Sequence, residues 1–403
     1  MVGQAVKALG GDARTKRIRQ SASAKIPTDS ASTSDAGFEC YHVDARLSEN
    51  HQQIGLPSLR KVFRLLRYCL EAIWCRFRYG VRNLYFVPAH AARSSMARDW
   101  MALAICRPFF RTLTYHWQAA GAGTWLDTVA SSWERRLARA IMGRPNLSIV
   151  LLRHNQNDAV AFGSKRVEII PNGIPDPCPN FDQEIAPRRR RRALARSKLL
   201  GGKALGIEEH RDAGGDPQIF RVLFLSLCCA EKGLFDTIEA VVQANQQAGG
   251  LPVRFELVVA GNFMHPAERT EFETRLRQSD LNQNVPVVKY IGFVSGEEKR
   301  RVFETSDCFC LPTFYTAESF GVVLIEAMAF GLPVITTRWR GLHELLPSGY
   351  PGLVNLQSPG EIAARLLALL REDYDDSLRE WFLAHYTDAM FSQKLRIALA
   401  NLK

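Results

Sequence analysis

The stretch Ala317-Glu318-Ser319-Phe320-Gly321-Val322-Val323-Leu324-Ile325-Glu326-Ala327-Met328-Ala329-Phe330-Gly331-Leu332-Pro333-Val334-Ile335 reads as the loop, helix and second strand of a βαβ unit. A short apolar strand, Cys308 to Leu311, precedes it, and the run from Phe320 to Ala329 has helical apolar spacing until Gly331-Leu332-Pro333 ends it. A loop with Ser319 and Gly321 at a helix start offers unpaired backbone N–H groups and the positive end of the helix dipole, which suits a diphosphate. Glu318 and Glu326 need another partner. A carboxylate only accepts hydrogen bonds, so each must face donors, and sugar hydroxyls are donors. Eight residues is a little over two helical turns, so both carboxylates can line one cleft, one holding a transferred sugar and the other a ribose.

These residues resemble the carboxyl-terminal signature of the retaining glycosyltransferases of family 4. The resemblance runs from residue 218 to 400 and extends more faintly back to about residue 38. It implies an α/β chain of GT-B architecture, two Rossmann-like domains with an interdomain cleft, with the donor on the second domain, the acceptor on the first, and no metal. It further implies that Glu318 contacts the donor sugar, that Ser319, Phe320 and Gly321 face the diphosphate, and that Glu326 binds the ribose hydroxyls.

Strands expected near 220–226, 254–260, 287–290, 307–311 and 333–336 complete the second domain, residues 218–375. Within it, Cys228-Cys229-Ala230-Glu231-Lys232-Gly233 follows an apolar strand, which places Lys232 at a βα turn on the carboxyl edge of the sheet, where open α/β domains bind ligands. Its ammonium is expected to neutralise a leaving diphosphate. The family pattern has an arginine about five positions earlier, where this chain has Leu227. Gly261 and Asn262 resemble a further donor-facing loop, and Phe293 resembles the loop that lines the base.

The first domain is expected over residues 38–180, with strands near 38–43, 83–88, 111–116, 147–152 and 166–170 separated by helical patterns. His116, at a strand's carboxyl end before a glycine-bearing loop that includes Gly121, is assigned a place near the donor phosphate or the reacting acceptor, as in family members with a histidine here. Asn172-Gly173 matches a turn that shapes the hinge, and His154 and Asp158 are read as structural or rim residues. Residues 1–37 read as a mobile or incomplete segment: a Rossmann-like domain should open with an apolar strand, and the chain begins Met1-Val2-Gly3-Gln4, so the first strand appears missing. Gly3 and Gln4, with Gly121, are assigned to the acceptor side. Residues 181–217 read as a basic, glycine-rich linker, with the arginine run 188–192 as a solvated linker or a helix start, and the helices of residues 376–403 are expected to cross back to the first domain.

Composition fits this plan. The chain has 403 residues, 46% of them hydrophobic, enough for two cored domains. No apolar run of about 18 residues and no signal-peptide core is present, which leads to an expected cytoplasmic protein, peripheral at most to the inner face of a membrane. Nine cysteines without a C-x-x-C pair indicate core thiols rather than a zinc site or disulfide framework. The net charge of +11 favours anionic partners. Residues 60–79 form a basic amphipathic helix with Val62, Leu65, Leu66, Cys69, Ile73 and Phe77 on one face, read first as packing on the sheet and second as a membrane contact. Nucleic acid is not expected as a partner, because no stacking platform or binding fold accompanies the basic runs.

The expected activity is retaining transfer of a sugar from a nucleotide-diphosphate sugar to a glycan or lipid-linked hydroxyl, by front-face attack, with no cofactor beyond the sugar nucleotide. An epimerase or phosphorylase fits the two-glutamate framework less closely. The competing reading is a degenerate, non-catalytic sugar-nucleotide-binding protein.

Overall fold

The structure is a computed structural model that describes residues 40–43, 59–281 and 287–402. Gly3, Gln4, the segment 1–37 and the expected missing strand lie outside the described residues. The chain divides into two compact units, Met1–Gly173 with Asp388–Lys403, and Ile174–Thr387. Each carries its own parallel sheet.

In the first unit, β1 (Asn83–Phe86), β2 (Thr112–Trp117), β3 (Leu147–Val150) and β4 (Val167–Ile169) lie side by side in chain order, all parallel. Every residue of β2 and β3 is buried, as a parallel strand covered on both faces requires. One face packs Tyr115 and Trp117 against Trp100, Trp125 and Phe162 from the helices. The other packs Leu147, Ile149 and Ile170 against Phe391, Leu395 and Leu399 of the helix Asp388–Ala400. Over the described residues 40–43 no strand forms, contrary to expectation; Tyr41 instead stacks on Tyr79 at 4.1 Å, at the end of the helix Leu59–Arg78.

That helix also departs from its expected packing. Of its expected apolar face only Leu65 and Cys69 are buried, while Leu66 and Phe77 are exposed. The contact with the helix Arg93–Cys106 sets Leu65 and Cys69 against Ala102 and Cys106, with Phe86 and Phe110 packed against the same cluster, so the helix's own rings at Phe63, Trp74 and Phe77 lie outside it.

The second unit orders its six parallel strands β10-β9-β8-β5-β6-β7, with β5 at Ile219–Leu225, β6 at Arg254–Ala260, β7 at Val288–Gly292, β8 at Cys308–Leu311, β9 at Val334–Thr337 and β10 at Leu353–Val354. Counted from β5 this is the 3-2-1-4-5-6 order of the dinucleotide-binding fold, and its switch point falls between β5 and β8.

The expected basic linker is instead a packed helical arm. Phe181–Ile185 is one wide helical turn running into the helix Ala186–Leu200, and Arg189, Arg192 and Arg196 are buried along one side of it. Their three- and four-residue spacing puts them on one face, and each finds acceptors. Arg189 donates to Phe303 O at 2.8 Å and to Phe330 O, Arg192 and Arg196 hold Asp307 at 2.8 and 3.2 Å, and Arg196 also donates to Ile219 O at 3.0 Å. The run is therefore a core element rather than a solvated segment. Arg379 closes the arm's start by a two-pronged bond to Asp176, 2.7 Å on each side, and a 2.8 Å bond to Ala329 O. Of the terminal helices, Ser377–His385 belongs to the second unit and Asp388–Ala400 to the first.

Candidate functional site

Lys232 and Glu318 meet at the switch point. Lys232 ends a short helical turn after β5, where Gly233 takes φ 78° so that the chain can turn beside Pro312; a Cβ there would sit 2.4 Å from Pro312 O. Thr313 Oγ1 and Phe314 N both donate to Glu231 O, at 3.2 and 2.7 Å, tying the loop after β5 to the loop after β8. This brings Lys232 Nζ to 2.5 Å from Glu318 Oε2, with both side chains about one-tenth exposed. The ammonium also lies 4.6 Å above the Tyr315 ring, whose negative face favours a cation. Trp339 Nε1 fixes that loop by donating to Tyr315 O at 2.9 Å.

Gly321 takes φ 73° and caps the helix Val322–Ala329, whose first N–H groups have no partner within the helix. The ring of Phe320 is buried against Tyr386 at 6.3 Å, so what this residue offers a ligand is backbone and not side chain. Glu326 is on the same helix and is bound by Lys299 Nζ at 2.7 Å. Lys299 was not singled out in the sequence. It sits in the first turn of the helix Gly296–Thr305 after β7, and one exposed-pattern lysine among several carries no signal by spacing alone.

Gly261 follows β6 at φ 144°, and a Cβ would fall 1.8 Å from Ser226 O, so only glycine permits the two strand ends to approach. Asn262 O accepts from Cys228 N at 2.8 Å and joins the same loops. Phe293, just past β7, is two-thirds exposed, and Leu227 is exposed beside the Lys232 turn. A cavity of about 730 Å³ lies elsewhere, at the amino ends of β5, β8 and β9 near Phe220, Asp307 and Pro333.

Residues 208–382 match the family model of the glycosyl transferases group 1. A curated relative, the amylovoran biosynthesis glycosyltransferase AmsK of Erwinia amylovora, is 31% identical over 170 residues, 41% of this chain and 39% of its own length. The phosphatidyl-myo-inositol mannosyltransferase of Mycobacterium leprae is 35% identical over 119 residues, 29% of this chain and 30% of its own. The alignments thus span well under half of these curated relatives. A solved structure of Anabaena Alr3699/HepE in complex with UDP superposes with a TM-score of 0.60 at 18% identity, over 86% of this chain and 85% of that one. The two Rossmann-like units have the GT-B fold. The group 1 match contains Lys232, Gly261, Asn262, Phe293, Glu318 and Glu326, and leaves His116 outside it.

His116 lies at the carboxyl end of β2 in the first unit, the strand end expected for it. It is buried, with Nδ1 2.5 Å from Tyr85 Oη and Nε2 2.7 Å from Gln118 Nε2, and its ring stacks on Phe391. Gln118 in turn exchanges two 3.2 Å amide bonds with Asn172. Both ring nitrogens are occupied, and burial pushes the imidazole down to about 3, so it stays neutral. The N–H of Gly121 is likewise engaged: Asp158 accepts from Gly121 N at 3.0 Å and Gly123 N at 2.7 Å, which confirms the structural reading of Asp158.

A pH dependence of stability follows. Between the folded value of about 3 and the ordinary value near 6.5, the unfolded chain binds a proton that the folded chain refuses. Stability from this group is therefore complete above pH of roughly 6.5 and falls as pH drops, by at most about 1.4 kcal/mol per pH unit. Denaturant unfolding of wild type and His116→Gln at pH 7 and 5 should show the smaller acid loss in the variant; equal losses would rule out His116 as the source.

Proposed function

We propose that the chain is a metal-independent, retaining glycosyltransferase that moves a sugar from a nucleotide-diphosphate sugar to a hydroxyl of a glycan or lipid-linked acceptor, in cytoplasmic polysaccharide or glycoconjugate synthesis. The observation that carries this reading is the ammonium–carboxylate pair Lys232–Glu318 at the switch point, beside the Gly321-capped helix start. An arriving diphosphate competes with Glu318 for Lys232 and meets the helix N–H groups. Glu318, released, turns to the sugar hydroxyls. Glu326 exchanges Lys299 for the ribose in the same way. No carboxylate is placed as a nucleophile in this reading, so the acceptor hydroxyl attacks the anomeric carbon on the face that the diphosphate leaves, and the acceptor's proton departs with the diphosphate.

The first test is calorimetric titration with UDP, GDP, ADP and CMP, starting from UDP because the HepE structure holds it. One diphosphate should bind saturably, and Glu326→Ala should weaken it about 10- to 100-fold, the worth of hydrogen bonds to a charged acceptor. Absence of binding, or an unchanged affinity in the variant, would overturn the donor site. Binding without any sugar transfer would instead favour the degenerate binding protein.

A further inference from the structure

The helix Leu59–Arg78 presents its bulkiest apolar residues outward. At 100° per residue, Leu59, Phe63, Leu66, Leu70, Trp74 and Phe77 fall within an arc of about 80°, whose centre is about 140° from the buried Leu65 and about 100° from the buried Cys69. Their exposures are 78, 70, 37, 66, 47 and 68%. Phe77 continues this surface by an edge contact, at 6.0 Å, with the exposed Phe109. A stripe this long and this open is unlike scattered surface apolar residues, and marks an interaction face. Arg60, Arg67 and Arg78 lie within about 40° of one border of the stripe. Among the helix's twenty residues Glu71 is the only acid, against six arginines and lysines.

We propose that this face docks on the surface of an anionic lipid bilayer, with the apolar stripe in the headgroup region and the flanking arginines on lipid phosphates. Charge decides the occupant. Pairing two copies through the stripe would bring two strongly cationic helices together with one carboxylate each to offset them, whereas an anionic bilayer supplies countercharge and apolar depth at once. Among the described residues no helix is long and apolar enough to cross a membrane, so the contact is peripheral. The inference is independent of the sugar-transfer reading.

The test is co-sedimentation of the full chain with vesicles of phosphatidylglycerol and phosphatidylcholine in equal parts, and with phosphatidylcholine alone. Wild type should sediment with the anionic vesicles, and binding should fall at least about tenfold in the triple variant Phe63→Ser, Leu70→Ser, Phe77→Ser. Because these side chains are exposed, its melting temperature and nucleotide titration should match wild type. Arg60→Gln, Arg67→Gln, Arg78→Gln should cost on the order of 100-fold at low salt, from about 1 kcal/mol per charge. Wild type that stays in the supernatant, or an apolar variant that sediments like wild type, overturns the proposal. So does a wild-type dimer that the apolar variant returns to monomer, since a second copy would then cover the stripe.

Discussion

Lys232→Ala should lower the rate of sugar transfer by about 10²- to 10³-fold with the fold intact, the scale seen when one preorganised stabiliser of developing charge is removed. Lys232 is held before any ligand arrives, by Glu318 at 2.5 Å and by the Tyr315 ring at 4.6 Å, so little reorganisation is needed when a diphosphate departs. Lys232→Arg is not a neutral exchange, because a planar guanidinium cannot occupy a point-charge site over the ring in the same way. The partner variant separates binding from chemistry. Glu318→Ala frees the ammonium, so UDP affinity should hold or rise while transfer is lost. Stopped turnover with unchanged UDP affinity would support opposite roles for the two residues. If both variants lost UDP binding and melted early, the pair would be a structural bond of the loop and the proposed chemistry would fall.

The second unit was legible because its determinants are local. Apolar runs of strand length, the glycine turns at Gly233 and Gly321, and the Pro333 stop each act over a few residues, so five of the six strands were expected, whereas the two-residue β10 is too short to leave an apolar run. Glu318, Lys232 and Glu326 stood out for the same reason. What escaped was decided by distant partners. The arginines of the arm look solvated until Asp307, Phe303 O and Phe330 O appear opposite them, residues more than one hundred positions away. Lys299 gains meaning only from Glu326 across the loop. His116 has the right strand end for a site, yet its partners Tyr85, Gln118 and Phe391 come from three separate stretches and close around it. For the helix Leu59–Arg78, periodicity located the face that carries the buried Leu65 and Cys69 but not the outward stripe of Leu59, Phe63, Leu70 and Trp74, which no partner in the described residues covers to give it a signal.

Asp307→Ala should destabilise the protein by about 3–5 kcal/mol, the cost of leaving buried charge without its partner. Asp307 is buried; burial alone would raise its carboxyl, but Arg196, Arg192 and the Arg221 N–H outweigh this and hold it below the usual carboxylate range. Removing it strands two guanidiniums whose residues are 3% and 5% exposed, of which Arg192 already has an Nε without a partner. Asp307→Asn keeps the shape and the acceptor but not the charge, and should recover part of the loss. Since the folded carboxyl titrates lower than the unfolded one, its contribution is present above pH of about 3.8 and fades as pH falls through the folded value. The double variant Asp307→Leu, Arg192→Met should lose less than Asp307→Ala alone, because it removes one of the two stranded charges together with its bond and leaves only Arg196 without its carboxylate. Chemical unfolding of the three variants decides the matter: a loss under about 1 kcal/mol for Asp307→Ala would class the contact with exposed ion pairs and contradict a buried arginine spine in this arm.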